Sequence, residues 1–486
     1  MNLSSCVSVL ENHDLLSSLE EDLGIAVGTV RADSRKIKDG DIFVAITGEH
    51  VDGHDFINSA VSQGAAAVVG EKDLALEIPY LQVKDSRKAW AVLCAEENNN
   101  PQKKLEIIGV TGTDGKTTTA HLIQSMLIAG GYRTGLVSTV TADLGGEEVP
   151  SGLHVTTPEP PQLFTFLRKM VENNCAYAVL ETTSHGLDQE RVFGIHFALG
   201  VLTNITKEHL DYHQTFENYK KAKAKLFQRS AIAVLNVDDP SYEFIAEKAS
   251  GKVVPYSLEK NLGFKGDLDY DQAILPGKYN ESNVLAAATA VGLLGVEEGE
   301  INEGLANFSS PEGRFQEIDL EQPFKVIVDF AHTPNALENL LRTVQSEIDE
   351  GRLITVFGCA GERDSGKRFL MGKNSGKLAD ISIFTAEDPR GEDIEDILEE
   401  MVRGAKDSGA EEAGSKKLRK KISENIYVKI PDREEAISFA IDNAQEGDWV
   451  FILGKGHEQS MNIGGKEYEW SDIVVAKEAI EDVEWN

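Results

Sequence analysis

The stretch Leu105-Glu-Ile-Ile-Gly-Val-Thr-Gly-Thr-Asp-Gly-Lys-Thr-Thr118 decides the fold of the central part of this chain. Its apolar first half predicts a buried β-strand, its glycines predict a turn, and residues 119–127 predict a helix. Such a strand–turn–helix unit is typical of a phosphate-binding loop, because backbone N–H groups and the helix N-terminus both face the phosphates. Lys116 would reach the β- and γ-phosphates, and the Thr117 hydroxyl would hold Mg²⁺. The sequence therefore predicts a nucleotide site here.

This loop departs from the general pattern G-x-x-x-x-G-K-[ST]. Val110 stands six residues before Lys116, and Gly109 comes one position earlier. Residues 361–367 do have the standard spacing, but Arg368 occupies the position of the metal-binding hydroxyl. Because a guanidinium does not ligate a cation, we interpret this second segment as an anion-binding loop, with an ordinary charged surface turn as the alternative.

Apolar runs separated by helical patterns continue on both sides of the phosphate loop, as is typical of mainly parallel sheets. Strands are predicted at residues 41–47, 65–70, 105–111, 178–180, 200–203, 233–235, 325–329, 353–357, 381–384 and 449–453. Polar or proline-containing breaks at residues 96–101 and 309–313 interrupt the pattern. At roughly 150 residues per domain, the 486 residues suggest about three domains. We predict α/β domains at residues 1–103, 104–311 and 312–486.

The composition limits the class of function. The chain has 48 Lys+Arg and 81 Asp+Glu residues, a formal net charge of −33, which excludes a passive nucleic-acid binder. We therefore expect any anionic ligand to bind in a locally positive cleft. No run approaches the roughly 20 apolar residues of a membrane span. The four cysteines stand singly, which disfavours disulfides and a thiolate zinc site and favours the cytoplasm. The charged run 416–421 is predicted to be a solvated helix or loop.

Polar residues follow two other predicted strands of the central block. Glu181 ends an apolar run and could bind Mg²⁺ at the carboxyl edge of the sheet. His209 and His213 are four residues apart, but Leu210 stands where a zinc protease has glutamate, so zinc is disfavoured and a structural role for His213 stays open. Residues 219–227 contain four lysines within six positions, and composition alone indicates a solvated basic helix face.

Together, these motifs resemble the Mur ligases, the ATP-dependent amide-forming enzymes of peptidoglycan synthesis. The resemblance is to the MurE type, which adds the third residue to UDP-N-acetylmuramoyl-L-alanyl-D-glutamate, and it covers essentially the whole chain. Besides the phosphate loop it rests on Asp33-Ser-Arg35, Gly40-Asp-Ile-Phe-Val-Ala45, Asp52-Gly-His-Asp-Phe-Ile57, His154-Val-Thr-Thr-Pro158, Glu181-Thr-Thr-Ser-His-Gly-Leu-Asp-Gln-Glu-Arg191, His209-Leu-Asp-Tyr-His213, Gly313-Arg-Phe-Gln316, Asp329-Phe-Ala-His-Thr-Pro334, residues 358–368, Asp388-Pro-Arg390 and Gly454-Lys-Gly-His-Glu458.

The resemblance implies an N-terminal UDP-binding domain, a central ATP-binding domain and a C-terminal Rossmann-like domain. It implies ATP contacts from Gly112, Thr113, Asp114, Gly115, Lys116, Thr117, Thr118, Asn280, Asn283, Arg314, Asp329 and His332. It implies contacts to the UDP-muramoyl peptide from Ser34, Arg35, Thr156, Thr157, Thr183, Gln189 and Arg191. The incoming amino acid would meet Arg363, Asp388, Pro389, Arg390, Gly454 and Glu458. Mg²⁺ would lie among Thr117, Glu181, His209 and a carbamylated Lys223, and the catalytic residues would be Lys116, Lys223, His209 and Glu181.

A carbamate would turn Lys223 into an anionic ligand, which contradicts the solvated-face interpretation. The implied reaction passes the γ-phosphoryl group to the D-glutamyl carboxylate, and the amine of the third substrate then displaces phosphate from the acyl phosphate. A P-loop ATPase or kinase is disfavoured because the central block has no obvious Walker B run of apolar residues ending in Asp. A folylpolyglutamate-type ligase is disfavoured by the uridine-side motifs. We expect a cytoplasmic monomer without nucleic-acid or membrane partners.

The third substrate is less certain than the reaction type. Diaminopimelate-adding members usually carry Asp-Asn-Pro-Arg, whereas this chain has Glu387-Asp-Pro-Arg390. Arg390 suits the extra carboxylate of meso-diaminopimelate. Asp388 would either attract the distal ammonium of L-lysine or L-ornithine, or repel a carboxylate. We favour meso-diaminopimelate, with the other two amino acids as alternatives.

Overall fold

The computed structural model describes residues 1–20, 24–48, 51–150, 156–273, 275–348, 351–414 and 425–483. His154 and the charged run 416–421 lie outside these ranges. The described residues form three larger sheets, one in each third of the chain, and a small two-stranded sheet near the C-terminal end. Within the same ranges no helix is both long and apolar enough to cross a bilayer.

The first sheet belongs to the N-terminal domain. Its strands lie in the order β1-β5-β4-β3-β2, and β1 alone runs antiparallel to its neighbour. The elements are α1 Leu3–Asn12, β1 Leu16–Glu20, β2 Val30–Arg31, β3 Ile42–Val44, α2 Ile57–Ser62, β4 Ala67–Gly70, β5 Tyr80–Val83 and α3 Ser86–Glu97. Strands β3 and β4 are buried along their whole length, as expected for parallel strands covered on both faces.

The second sheet forms the central domain, in the order β13-β12-β11-β6-β10-β7-β8-β9. The elements are β6 Glu106–Thr111, α4 Lys116–Ala129, β7 Thr134–Val137, β8 Ala142–Asp143, β9 Glu148–Val149, α5 Pro160–Glu172, β10 Tyr177–Glu181, α6 Ser184–Asp188, β11 Phe197–Leu202, α7 Leu210–His213, α8 Phe216–Gln228, β12 Ser230–Asn236, α9 Tyr242–Lys248, β13 Lys252–Tyr256, α10 Lys278–Leu293 and α11 Glu298–Ala306. Strands β13 to β7 are parallel, and β8 and β9 extend the sheet antiparallel.

Strand β6 lies between β10 and β11, so the segments that follow all three strands emerge at one edge of the sheet. This edge is where open α/β sheets place their ligand sites. Gly109 lies inside β6, where an added Cβ would come within 2.5 Å of the Leu226 side chain and 2.9 Å of Phe197. The glycine that breaks the general loop pattern therefore serves packing of β6 against its neighbours rather than the loop itself.

The third sheet forms the C-terminal domain, in the order β14-β15-β20-β16-β17-β19-β18, with β14 antiparallel. The elements are β14 Gln316–Ile318, β15 Lys325–Asp329, α12 Pro334–Gln345, β16 Leu353–Phe357, α13 Gly366–Leu378, β17 Ile381–Phe384, α14 Ile394–Asp407, β18 Glu411–Glu412, β19 Ile426–Lys429, α15 Arg433–Asn443, β20 Trp449–Leu453, β21 Ser460–Ile463, β22 Lys466–Glu469 and α16 Asp472–Glu481. Strands β21 and β22 form a separate hairpin.

The α/β class and all ten predicted strands are confirmed, with ends that shift by one to three residues in most cases. Helix α4 begins at Lys116, three residues earlier than predicted, because the left-handed Gly115 (φ +79°) turns the chain directly into the helix. Apolar side chains cover both faces of the second and third sheets, which explains why their strands read as continuous apolar runs.

Candidate active site

A cleft of about 1290 Å³ opens between the central and C-terminal domains. The phosphate loop forms one wall, and loops that follow the strands of the third sheet form the opposite wall. Acidic side chains outnumber basic ones among the lining residues, so the expectation of a locally positive cleft is wrong. Several of these carboxylates accept hydrogen bonds from hydroxyl, backbone or lysine donors, as Glu181 and Asp388 do. These donors reduce the repulsion between the carboxylates and an anionic ligand.

The phosphate loop has the geometry predicted from sequence. The Lys116 ammonium donates to the Thr113 carbonyl at 2.8 Å, so the side chain folds back over the loop. Burial lowers the pKa of Lys116, and the nearby carboxylates of Glu181 and Asp114 oppose that shift. Residues 113–118 all line the cleft. Gly112 lies just below them, packed against Thr203.

Glu181 stands at the carboxyl end of β10, where it faces the start of α4. Its carboxylate accepts hydrogen bonds from the Thr117 hydroxyl at 3.0 and 3.1 Å and from the backbone N–H and hydroxyl of Thr139, both at 3.0 Å. Arg314, from the start of the C-terminal domain, donates to the same Thr117 hydroxyl at 3.1 Å. A carboxylate beside a hydroxyl is a hard oxygen donor set, so these residues fit Mg²⁺.

His209 lies on the same side of the cleft. It adopts a left-handed conformation (φ +56°) just before α7, and its ring contacts that of His185 at 4.8 Å between centroids. Burial holds the pKa of His209 far below its usual range, so the imidazole is neutral and able to bind a metal. His213 is also buried, and its Nε2 atom has no hydrogen-bond partner in the part of the chain that is described.

Lys223 is fully buried on α8, so the solvated-face interpretation is wrong for this residue. Its ammonium donates to the Gly112 carbonyl at 2.5 Å and lies 4.6 Å from the centre of the Tyr219 ring. Burial, assisted by the charge of Lys116, lowers its pKa well below the usual value. Lys223 therefore contacts the phosphate loop from behind, and burial favours the neutral, nucleophilic form of its amine.

The residues expected around ATP surround the same part of the cleft. The Asn283 amide donates to the Asn280 carbonyl oxygen at 3.1 Å on α10. Asp329 accepts from the backbone N–H groups of Phe315 at 2.7 Å and Ala331 at 2.8 Å, and burial raises its pKa. The buried His332 has a strongly lowered pKa.

The residues expected around the muramoyl peptide fall into two groups. Arg191 donates to the Thr157 carbonyl at 2.7 Å and to the Gln189 side chain at 2.7 and 3.1 Å, and Thr156, Thr183, Gln189 and Arg191 line the cleft. Ser34 and Arg35 lie elsewhere, in the N-terminal domain, and neither lines the cleft. The Arg35 side chain is 87% exposed and pairs with Asp33 at 2.9 Å.

The C-terminal wall holds the residues expected around the amino acid. The residues Arg363, Asp388, Arg390 and Glu458 line the cleft. Pro389 and Gly454 are not among its lining residues. Gly454 takes a left-handed φ of +104° and donates its N–H to the Asp329 carbonyl at 3.1 Å.

Further contacts between the central and C-terminal domains were not predicted from the sequence. Asp114, in the phosphate loop, accepts from the Thr333 hydroxyl at 3.1 Å and from the Asn335 amide at 2.9 Å, both at the start of α12. Lys367, from the spacing-matched loop, lies 3.6 Å from Glu208, and both side chains are buried. Two residues of that segment, Lys367 and Arg368, are therefore not on the surface, which contradicts the surface-turn alternative for them.

Family comparisons agree with this geometry. A model described as "Mur ligase family, catalytic domain" matches residues 27–106, "Mur ligase middle domain" matches residues 110–291, and "Mur ligase, glutamate ligase domain" matches residues 313–456. The chain belongs to the Mur ligase family. This family is ATP-dependent, and the matched ranges cover most of each sheet.

Several curated proteins are similar to this Mur ligase over nearly their full length. One from Clostridium botulinum is 35% identical, covering 99% of this chain and 100% of its own, and one from Geobacillus kaustophilus is 38% identical, covering 93% and 94%. Both are named UDP-N-acetylmuramoyl-L-alanyl-D-glutamate--2,6-diaminopimelate ligase.

Solved structures show the same fold. A structure with the same ligase name is 30% identical, with a TM-score of 0.64, and covers 97% of this chain and 98% of its own. The MurF ligase of Thermotoga maritima, solved in complex with ADP, is 18% identical, with a TM-score of 0.58, and covers 95% and 98%.

Proposed function

We propose that this Mur ligase joins a diamino acid, meso-diaminopimelate in preference to L-lysine or L-ornithine, to UDP-N-acetylmuramoyl-L-alanyl-D-glutamate. ATP is converted to ADP and phosphate. The observation that carries the proposal is that one cleft brings the phosphate loop with Glu181 face to face with two arginines, Arg363 and Arg390. The names of the relatives, which cover almost the whole chain, support the choice of substrates.

The reaction needs a carboxylate to become an electrophile. In our proposal the D-glutamyl carboxylate attacks the γ-phosphorus of ATP, the bond to the β-bridging oxygen breaks, and ADP leaves. The amine of the diamino acid then attacks the acyl carbon, the bond to the phosphate oxygen breaks, and the amine loses a proton. Most of the acceleration would come from positioning and charge neutralisation, to which Lys116 and Arg314 contribute.

Mg²⁺ would be held by Thr117, Glu181 and His209, and it would supply charge neutralisation at the phosphates. Within the described residues no three His, Cys, Asp or Glu side chains converge on one point. We therefore propose that the carbamate of Lys223 completes the set. The burial of Lys223 supports this, because it lowers the pKa of the amine and carbamate formation requires an unprotonated nitrogen.

The other assignments extend the same proposal. Thr156, Thr157, Thr183, Gln189 and Arg191 would bind the muramoyl peptide, and Ser34 and Arg35 would bind its uridine diphosphate end. Asn280, Asn283, Asp329 and His332 would frame the nucleotide. We also propose domain boundaries at 103/104 and 311/312. The grouping of the strands into three sheets supports them, whereas the first family match extends to residue 106. A monomeric state and a cytoplasmic location stay predictions; the four free, buried cysteines favour the latter.

The test is a reconstituted assay. The protein is incubated with ATP, Mg²⁺, UDP-N-acetylmuramoyl-L-alanyl-D-glutamate and, separately, meso-diaminopimelate, L-lysine or L-ornithine, and both phosphate and the UDP-linked tripeptide are quantified. We expect product that requires all components and is greatest with diaminopimelate. Phosphate release that ignores both the dipeptide and the amino acid would contradict the proposal and favour a simple ATPase.

A further inference from the structure

The part of the cleft that we propose binds the amino acid has more charged side chains than the single ammonium and carboxylate of a simple amino acid would pair with. Arg363 and Arg390 line it, together with Glu387, Asp388 and Glu458. Arg390 makes no ion pair within the described ranges, and its Nε atom is buried without a hydrogen-bond partner there. A buried guanidinium nitrogen without a partner indicates that a ligand carboxylate completes the site.

Behind this wall lies a lysine that does not reach the cleft. Lys455 is completely buried and is absent from the lining. Its ammonium donates to the Asp388 carboxylate at 2.9 Å and to the Glu458 carboxylate at 2.7 Å. The same Asp388 oxygen also accepts from the backbone N–H of Asn462 at 3.0 Å. One fixed positive charge is therefore shared between two carboxylates of the pocket.

We propose that Lys455 is a positioning residue that cancels the charge of Asp388, so that the pocket accepts an amino acid whose distal end carries both an ammonium and a carboxylate. This inference rests on the proposed function and specifies its third substrate. Asp388 then presents less negative charge to the ligand and in this respect comes closer to the neutral asparagine that diaminopimelate-adding members usually have. The sequence left two effects of Asp388 open, attraction of an ammonium and repulsion of a carboxylate. The charge of Lys455 weakens both.

The remaining charges match such a ligand. Burial raises the pKa of Glu387 to about 7, so its carboxyl is partly protonated near neutral pH. Arg363 and Arg390 remain as two guanidinium groups in the lining with which a distal carboxylate can pair, whereas the side chain of L-lysine has no carboxylate to offer them. Arg363 has Asp211 as an ion-pair partner at 4.0 Å, a distance that gives little compensation.

The test is a charge cycle on Asp388 and Lys455, read as the ratio of kcat/KM for meso-diaminopimelate to that for L-lysine. Lys455→Met should lower this ratio at least about tenfold, mainly through the KM of diaminopimelate, because it exposes the ligand carboxylate to an uncompensated charge. Asp388→Asn combined with Lys455→Met should recover most of the loss. Asp388→Asn alone should change the ratio less than about threefold, and Lys455→Arg should keep it.

Controls separate charge compensation from loss of structure. Lys429→Met removes a partly exposed lysine that likewise holds two carboxylates, Glu395 and Glu399, and it should leave the ratio unchanged. If Lys455→Met fails to fold, the cycle is completed with Lys455→Gln and Asp388→Asn, with thermal unfolding measured for each variant.

Equal losses with both amino acids in the Lys455 variants would overturn the inference, as would a double variant no better than the single one. A tenfold gain in diaminopimelate preference from Asp388→Asn alone would also overturn it, because the aspartate charge would then reach the ligand. Wild-type protein that forms no product with any diamino acid would instead overturn the proposed function, and this inference with it.

Discussion

At the scale of single residues, the site depends on ionisable groups whose charge is altered by burial. Lys116 and Lys223 are both buried near the phosphate loop, yet only Lys116 lines the cleft. The two ammonium groups would repel each other in a dry environment, which is one reason why the pKa of Lys223 is lowered. Burial lowers the pKa of both lysines, and that of Lys223 well below its usual value.

Replacing Lys223 by alanine should reduce kcat at least about a hundredfold, because the proposed carbamate ligand of the Mg²⁺ that neutralises transition-state charge is lost. A small carboxylic acid such as acetate should restore part of the activity by entering the vacated space, and alanine at the partly exposed Lys220 should have little effect. Initial rates of phosphate release with and without acetate give the answer. Full activity in the Lys223→Ala protein would refute the carbamate role.

Glu387 should make the stability of the protein depend on pH. Its pKa of about 7 in the folded protein lies above the usual 4.5, because burial disfavours the carboxylate. The folded state therefore holds the proton more tightly, and the free energy of unfolding falls as pH rises from about 5 to 8, by up to about 3 kcal/mol. Glu387→Gln should remove this fall. Tm measured at pH 5.5 and pH 8 for both proteins tests it; parallel pH profiles would be the contrary result.

At the scale of elements, the turn between β6 and α4 determines where the phosphates can sit. Gly115 is left-handed, and an added Cβ would lie 2.4 Å from the Asn283 side-chain oxygen. Two features therefore disfavour a side chain at position 115: the left-handed backbone of the turn and the close approach of Asn283 on α10. The backbone constraint alone is worth about 1–2 kcal/mol for a residue with a side chain.

Gly115→Ala should consequently lower Tm and raise the KM for ATP, since the loop must shift away from Asn283. Gly131→Ala is the matched control, because Gly131 has a similar φ of +81° but nothing within 4 Å of an added Cβ. Its substitution should cost stability only, with an unchanged KM. Equal effects of both substitutions on KM would show that contact with α10 is irrelevant.

Sequence predicts the elements better than their contacts. The ten strands were recognisable because both of their faces are buried, whereas β8, β9 and β18 have two residues each and no apolar run to mark them. Phosphate-loop geometry follows from local rules, and so Lys116 and Thr117 could be placed from the strand–turn–helix context, although the glycine spacing departs from the general pattern.

Contacts between distant segments carry no local signal. Asp114 and Asn335 are 221 positions apart, and Asp388 and Lys455 are 67 apart, so nothing in either neighbourhood marks the partner. For Lys223 the composition gave the wrong prediction of a solvated side chain. Four closely spaced lysines cannot be told apart from sequence, and only the packing of the folded chain buries Lys223.

At the scale of the whole molecule, the contact of Asp114 with Thr333 and Asn335 links the nucleotide loop to the C-terminal domain. Replacing both partners, Thr333→Val with Asn335→Ala, should raise the KM for ATP about tenfold, since hydrogen bonds to a charged group are lost. Small-angle scattering with a non-hydrolysable ATP analogue should also give a larger radius of gyration than for the wild type.

Ser346→Ala is the control for that pair. Ser346 directly follows the C-terminal end of α12, and within the described residues its hydroxyl donates to the Thr343 carbonyl of the same helix. It should match the wild type in both measurements. An unchanged radius in the double variant would mean that the two domains are held together by other contacts, such as that of Lys367 with Glu208.

The hydrogen bonds from Thr333 and Asn335 to Asp114 also bear on which step limits the catalytic rate. In the proposed site, ADP would lie against the phosphate loop, to which the C-terminal domain is joined by two hydrogen bonds at Asp114. We therefore expect these hydrogen bonds to break before ADP leaves. The slowest event of a catalytic cycle would then be mechanical rather than chemical, and kcat would fall as solvent viscosity rises.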